Sequence, residues 1–242
     1  MRLDVFICCR GLCSSRTEAK ENILSGMVYV NGKPITKASY SVDESDSVKL
    51  VGEARKYVSR GGLKLEGAIS AFEINAKDSL ALDVGASSGG FTDCLLKHGA
   101  KHVIAVDSGS GQLCDSIRND ERVTSIENYN ARFMKAEDLE YIPTLAVMDV
   151  SFISSTLIIP AVFSVLSDGG VFILLVKPQF EVGKSGIGKG GIVKSAALRE
   201  RALSDVISFA QSCGFKLIGT ITSPIEGGDG NVEYLAGFRK EL

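Results

Sequence analysis

Residues 80–92, LALDVGASSGGFT, constrain this chain more tightly than any other stretch. An apolar run meets Asp83, crosses a turn of small residues from Gly85 to Gly90, and opens into the helix-forming FTDCLLKHG. Strand, tight glycine turn and helix in that order let backbone approach a ligand with no Cβ in the way. The helix behind the turn offers unpaired N–H groups. The stretch has the shape of a nucleotide site.

Two nucleotide classes fit at first. A G-x-G-x-x-G turn holds a dinucleotide pyrophosphate at the helix N-terminus, but Ser87 stands at the second glycine here. The next apolar run, residues 102–106, ends in Asp107, about twenty residues on, where an acid takes ribose hydroxyls. That acid suits NAD and S-adenosylmethionine equally. The turn suits S-adenosylmethionine better, because that ligand carries no pyrophosphate.

Divided by about 150 residues per domain, the length of 242 residues suggests one or two domains. No run approaches the ~20 apolar residues of a membrane span; the longest candidate, 156–166, is short and contains Pro160. The opening MRLDVFICCRG has no long apolar region or small-residue cleavage site, so a cytoplasmic protein is expected. Cys8, Cys9 and Cys13 cluster, but the histidines, His98 and His102, lie far along the chain, so no metal is predicted. Charge is uneven. Residues 1–60 carry ten lysines and arginines against seven acids (+3), and the remainder seventeen against twenty-two (−5).

Residues 1–52 read as a separate small α+β module. Leu3, Phe6 and Ile7 begin a helix, Ser14 or Ser15 caps a second over 16–25, and Asn31-Gly32 turns a hairpin. A further strand is expected over 47–51. Arg2, Arg10, Arg16, Lys20, Lys33 and Lys37 recur along it, as a solvated face or a phosphate-contacting one. The pattern R-L-D, G-L, S-R, G-x-V-x-V-N-G resembles the RNA-binding S4 domain, which implies cations directed at phosphate. Residues 53–60 read as a polar linker.

From residue 61 onward, strands and helices alternate. Leu63, Leu65, Ala68, Ile69 and Phe72 can share one helix face, with Lys64 on the other side. Strands are expected over 102–107, 122–126, 144–149, 171–176, 216–222 and 232–238, and helices over 112–119, 154–166 and 195–213. The alternation predicts an α/β fold with a Rossmann-like sheet covered on both faces and ligands at the carboxyl ends of its strands. Asp83, Asp107, Asp149 and Lys177 fall just past strands, and Glu233 lies where the final one begins. They are expected to converge on one crevice.

The motifs LDVGASSGGF, MDVSF, VKPQFEVGK, GKGGIV and SPIEGGDGNVEYL, with SRGGLKLE upstream, resemble the FtsJ-type ribose 2′-O-methyltransferases. With the S4-like module in front, the chain is similar to the TlyA family, whose members are also named haemolysin A. The resemblance implies a class I methyltransferase domain over 61–242, with S-adenosylmethionine as cofactor. It implies a catalytic tetrad of Lys64, Asp149, Lys177 and Glu233, with Lys177 as base or proton-orienting group for a ribose 2′-hydroxyl. It also implies cofactor contacts at Asp83, Gly85, Ala86, Ser87, Gly89, Gly90 and Phe91, at Asp107 for the ribose and at Asn130 for the adenine.

The substrate so implied is ribosomal RNA, at a cytidine of one or both subunits. Arg2, Arg10, Arg16, Lys20, Lys33, Lys184 and Lys189 are the cations expected to meet it. Phe133, Phe152 and Phe180 are candidates to grip an extruded base, with core packing the expected fate of each. Residues 183–189 mimic a phosphate loop, but Gly190 stands where a Mg²⁺-holding Ser or Thr is required. A membrane-active cytolysin and a non-catalytic RNA-binding protein are the rival readings; no spanning segment or basic amphipathic helix supports the first.

Overall fold

A computed structural model describes residues 1–13, 16–24, 26–51, 56–183, 186–227 and 230–241, with backbone only for 17, 18 and 21. Ser14 and Ser15, the expected caps, lie outside the described residues, as does Lys184. The chain divides into two compact units, Met1–Arg55 and Lys56–Leu242.

In the first unit, α1 (Leu3–Cys9) and α2 (Arg16–Leu24) precede three short strands, β1 (Val28–Val30), β2 (Lys33–Pro34) and β3 (Val48–Leu50). The strands form an antiparallel sheet in the order β2-β1-β3. Asn31 and Gly32 both take positive φ, 52° and 79°, as a tight hairpin turn between Val30 and Lys33 demands. Leu3, Phe6 and Ile7 of α1 close the core with Ala19, Ile23, Val28 and Val30.

Beside that core lies Asp4, wholly buried, holding Arg2 Nε at 2.9 Å and Arg16 Nη2 at 3.0 Å. Arg2 and Arg16, expected to meet phosphate, are also partners of this buried carboxylate. The guanidiniums still show about half their surface (50% and 58%), so they shield the acid and face solvent at once. Arg10 lies over the Phe6 ring at 5.1 Å. Lys20 and Lys33 are exposed.

The second unit contains α3 (Gly61–Ala71), β4 (Leu80–Val84), α4 (Gly90–Lys97), β5 (His102–Val106), α5 (Asp115–Arg118), β6 (Val123–Ile126) and β7 (Leu145–Met148). It continues with α6 (Ile159–Val165), β8 (Val171–Val176), α7 (Pro178–Glu181), α8 (Ala196–Ser212), β9 (Phe215–Thr222) and β10 (Tyr234–Lys240). Seven strands form one sheet in the order β6-β5-β4-β7-β8-β10-β9, parallel except for β10, which runs antiparallel to both neighbours. The unbroken apolar run VFILLV becomes β8 because both its faces are covered. Ile173 and Leu175 join the layer of α3 and α4, and Phe172, Leu174 and Val176 that of α6 and α8.

Several expectations change. The linker expected over 53–60 ends sooner, because Tyr57 is 2% exposed in the core of the second unit and its ring sits where a Cβ on Gly62 would fall. On α3 the buried residues are Gly62, Lys64, Leu65, Ala68 and Ile69, while Leu63 is 39% exposed. Lys64 and Leu63 thus exchange the sides their polarity suggested. The helix expected over 112–119 shortens to α5, and that over 154–166 becomes a 3-10 turn, Ser155–Leu157, followed by α6. Pro160 lacks an N–H and fits the first turn of α6 but not a helix interior.

The Arg2 hydrogen bond, opposed by burial and aided by Arg16, holds the Asp4 carboxyl well below its ordinary range. A carboxylate lowered on folding contributes stability in full above its unfolded value of about 3.9 and loses it progressively as pH falls from there through the lower folded value. Asp4→Asn is expected to lower the thermal midpoint at pH 7 by the equivalent of on the order of 1–2 kcal/mol, the half-exposed guanidiniums being screened. Calorimetry as a function of pH is expected to show the gap to wild type narrowing as the medium is acidified.

Candidate active site

The turn after β4 is shaped by a close approach. Gly85 has φ of 85°, and a Cβ there would lie 2.3 Å from the carbonyl oxygen of Asp149. Only glycine lets the β4 and β7 loops meet so closely. At their carboxyl ends opens a cleft of about 880 Å³. Gly85, Ser87, Asp107, Asn130, Asp149 and Phe152 are among its walls.

Asp107 ties the cleft together, accepting from Ser87 N through Oδ2 and from Gly109 N through Oδ1, both at 2.7 Å. Each oxygen keeps a lone pair for a further donor such as a ribose hydroxyl. Asn130 Oδ1 accepts from Arg132 N at 3.2 Å, which turns the chain under the cleft. The remaining expected cofactor residues lie elsewhere. Ala86 and Phe91 are buried in the α3/α4 layer, and a Cβ on Gly90 would fall 2.1 Å from Ser59 Oγ. Gly89 starts α4 and abuts Leu113. Their small size or apolarity serves helix packing, a use the glycine-rich pattern does not separate from ligand approach.

The four tetrad residues form two pairs. Lys177, the residue after β8, places Nζ 2.6 Å from Asp149 Oδ1 and donates to Ser151 Oγ at 2.7 Å. The contact with Asp149 is an ion pair, and that buried oxygen has no hydrogen-bond partner of its own. Lys64 and Glu233, 8% and 3% exposed, are joined by a 2.5 Å bond from Nζ to Oε2. Sheet register brings the pairs together. Tyr234 stands opposite Val176, so Glu233 and Lys177 leave the sheet side by side, and β7, ending at Met148, delivers Asp149 from the other flank.

Asp83 is fully buried and accepts from Thr92 Oγ1 at 2.6 Å, while its Oδ1 has no partner. Burial pushes its carboxyl up to about 7, against the Thr92 hydroxyl and with help from the nearby Asp149 charge. It therefore underlies the site as a largely sealed acid and does not line the cleft.

The aromatic residues depart furthest from expectation. Phe152 is 91% exposed with φ of 64°, and Phe133 is 68% exposed. A non-glycine residue in that region costs on the order of 1–3 kcal/mol, and strain of this kind gathers at functional sites. The half-buried Phe180 supports Phe152 at 5.3 Å between ring centroids. Lys189 is exposed. The sequence reading overlooked Ser151 and Glu181, which lie within the quoted MDVSF and VKPQFEVGK motifs. Polar residues there, one step from Asp149 and Lys177, were the available signal.

A family model described as FtsJ-like methyltransferase matches residues 57–240, and one described as S4 domain matches residues 1–48. The chain is 46% identical over 239 residues to hemolysin A of Brachyspira hyodysenteriae, covering 98% of this chain and 99% of the relative. It is 42% identical over 241 residues to the 16S/23S rRNA (cytidine-2′-O)-methyltransferase TlyA of Mycobacterium tuberculosis, covering 99% and 90%. A solved structure of a hemolysin-like protein from Streptococcus thermophilus aligns with a TM-score of 0.81 at 45% identity, over 100% of this chain and 88% of that one.

Two tests follow from the site. Glu233→Ala strands the Lys64 ammonium in a buried site and is expected to cost about 3–5 kcal/mol in urea unfolding. The double variant K64M/E233L is expected to recover most of that. For Asp83, a raised carboxyl means the unfolded chain releases its proton first, so folding stability declines as pH climbs from about 4 towards 7. Asp83→Asn is expected to flatten that decline, read from thermal midpoints across the range.

Proposed function

The chain belongs to the FtsJ-like methyltransferase family, and from that premise we propose that it transfers a methyl group from S-adenosylmethionine to a ribose 2′-hydroxyl of ribosomal RNA. Cytidine is the nucleoside named for the Mycobacterium tuberculosis relative and is the target proposed here. A cytoplasmic location follows from that substrate. The observation that carries the reading is the lysine–carboxylate pair of Lys177 and Asp149 at the cleft, with Glu233 on the adjoining strand end holding Lys64 of α3.

The cofactor is tested against the cleft by its chemistry. Its volume falls in the range of small-molecule sites. The side-chain-free Gly85 and the Asp107 carboxylate on its wall suit a nucleoside. Bound there, S-adenosylmethionine supplies an already activated methyl group. The protein then has two tasks, in-line placement of the ribose oxygen and removal of its proton. Lys177 Nζ is the base or proton-orienting group for that hydroxyl, and Asp149 and Ser151 orient the amine. Glu233 holds Lys64 and thereby fixes the end of α3 next to the base. Phe152 offers an exposed ring on which an unstacked base can lie. The cations of the S4 domain and Lys189 supply sequence-independent attraction for phosphate.

The direct test is labelled methyl incorporation into ribosomal subunits, followed by mapping of ribose methylation. Incorporation into protein or into base positions alone would overturn the reading, and vesicle leakage at low protein concentration would favour the cytolysin instead. Lys177→Ala is expected to lower the transfer rate by roughly 10²- to 10⁴-fold while S-adenosylhomocysteine binding, by calorimetry, stays intact. Phe152→Ala is expected to cost on the order of 1–3 kcal/mol, roughly 5- to 150-fold in kcat/KM for RNA.

A further inference from the structure

The loops after β7 and β8 are laced together at three successive points. Nearest the sheet, Lys177 meets Asp149 and Ser151. Next, the Phe152 ring rests against Phe180. Farthest out, the Glu181 carboxylate takes three donors of one turn. Its Oε2 accepts from Ser154 Oγ at 2.6 Å, and its Oε1 accepts from Ser155 N and Ser155 Oγ, both at 2.8 Å. Among the described residues Glu181 forms no ion pair. A half-buried carboxylate devoted to three neutral donors is best explained by the turn it holds.

We propose that Glu181 is a positioning residue for the transfer reaction, acting through Phe152. This rests on the reading that the cleft methylates RNA. Phe152 has a backbone conformation that aromatic residues avoid, and its side chain is almost entirely in solvent. Packing alone does not hold it there. The chain on its N-terminal side is fixed at Asp149 and Ser151 by Lys177, and on its C-terminal side at Ser154 and Ser155 by Glu181. With both ends pinned to the same short segment of α7 and its cap, the intervening residue keeps its strained φ and presents its ring beside the base. Removing Glu181 frees the outer end, and the strain relaxes by turning the ring away.

The test uses the full chain with purified ribosomal subunits. E181A is expected to reduce transfer by roughly ten- to a hundredfold with S-adenosylhomocysteine binding unchanged. E181Q is expected to stay near wild type, because Oε1 still accepts from Ser155 and the amide can donate to Ser154 Oγ. In a double-variant cycle, E181A is expected to add nothing to F152A, since both remove the same ring from the site. The chain has no tryptophan, so F152W gives a single indole reporter. Its fluorescence anisotropy is expected to fall when E181A is added, whether or not RNA is present.

Full transfer by E181A, additive losses in the cycle, or an indole equally immobile with and without Glu181 would each overturn the proposal. If E181A does not fold, S154A/S155A removes the same bonds from the other side and is judged by the same measurements. Absence of transfer by the wild-type chain would instead overturn the reaction itself, a result that the anisotropy comparison cannot imitate.

Discussion

Because β10 lies antiparallel between β8 and β9, its first residue stands beside the last residue of β8. That reversal decides which side chains meet. Parallel strands emerge at the cleft with their carboxyl ends, so each offers only the residues that follow it. An antiparallel strand offers the residue that precedes it, here Glu233, without lengthening any loop. Glu233 then needs a partner, since a buried carboxylate left alone is costly. Lys64, reaching in from α3, is that partner. The helix that covers one face of the sheet is thereby tied to the strand end beside Lys177.

The same economy governs the packing. Residue Gly85 is small because the carbonyl of Asp149 occupies the place of a side chain, and Gly90 because Ser59 and α3 press against it. One glycine serves the cleft and the other serves the helix layer, although both belong to one small-residue turn. The structural reason for each is separate, and only the surroundings of the two backbones reveal it.

Periodic features were legible in the sequence. Alternating apolar runs and helical stretches predicted the α/β sheet and most of its strands, and the Asn31-Gly32 hairpin followed from local turn chemistry alone. Single side chains that break the local rule were not legible. Polarity assigned Lys64 to solvent and Leu63 to the core, but a buried acid from a strand 169 residues away inverted both. Hydrophobicity likewise assigned Phe152 and Phe133 to packing, yet both stand in solvent. The second role of Arg2 and Arg16, shielding the buried Asp4, was equally hidden, because charge along a chain does not disclose the acid beneath it. In each case a long-range partner or a strained backbone outweighed the local preference.

Three acids at the ends of adjacent strands, Asp83, Asp107 and Asp149, crowd negative charge beneath one cleft. Their environments divide them. Asp107 has two backbone N–H groups, Asp149 has a lysine, and Asp83 has the Thr92 hydroxyl and is wholly buried. Asp83 is consequently the acid that yields, its carboxyl raised to about 7 by burial and by the Asp149 charge. A proton retained there lowers the repulsion felt by Asp149 without weakening the hold of Asp149 on Lys177. Of the two acids that line the cleft, Asp149 is thereby left to Lys177, and Asp107 keeps a lone pair on each oxygen for a ligand donor.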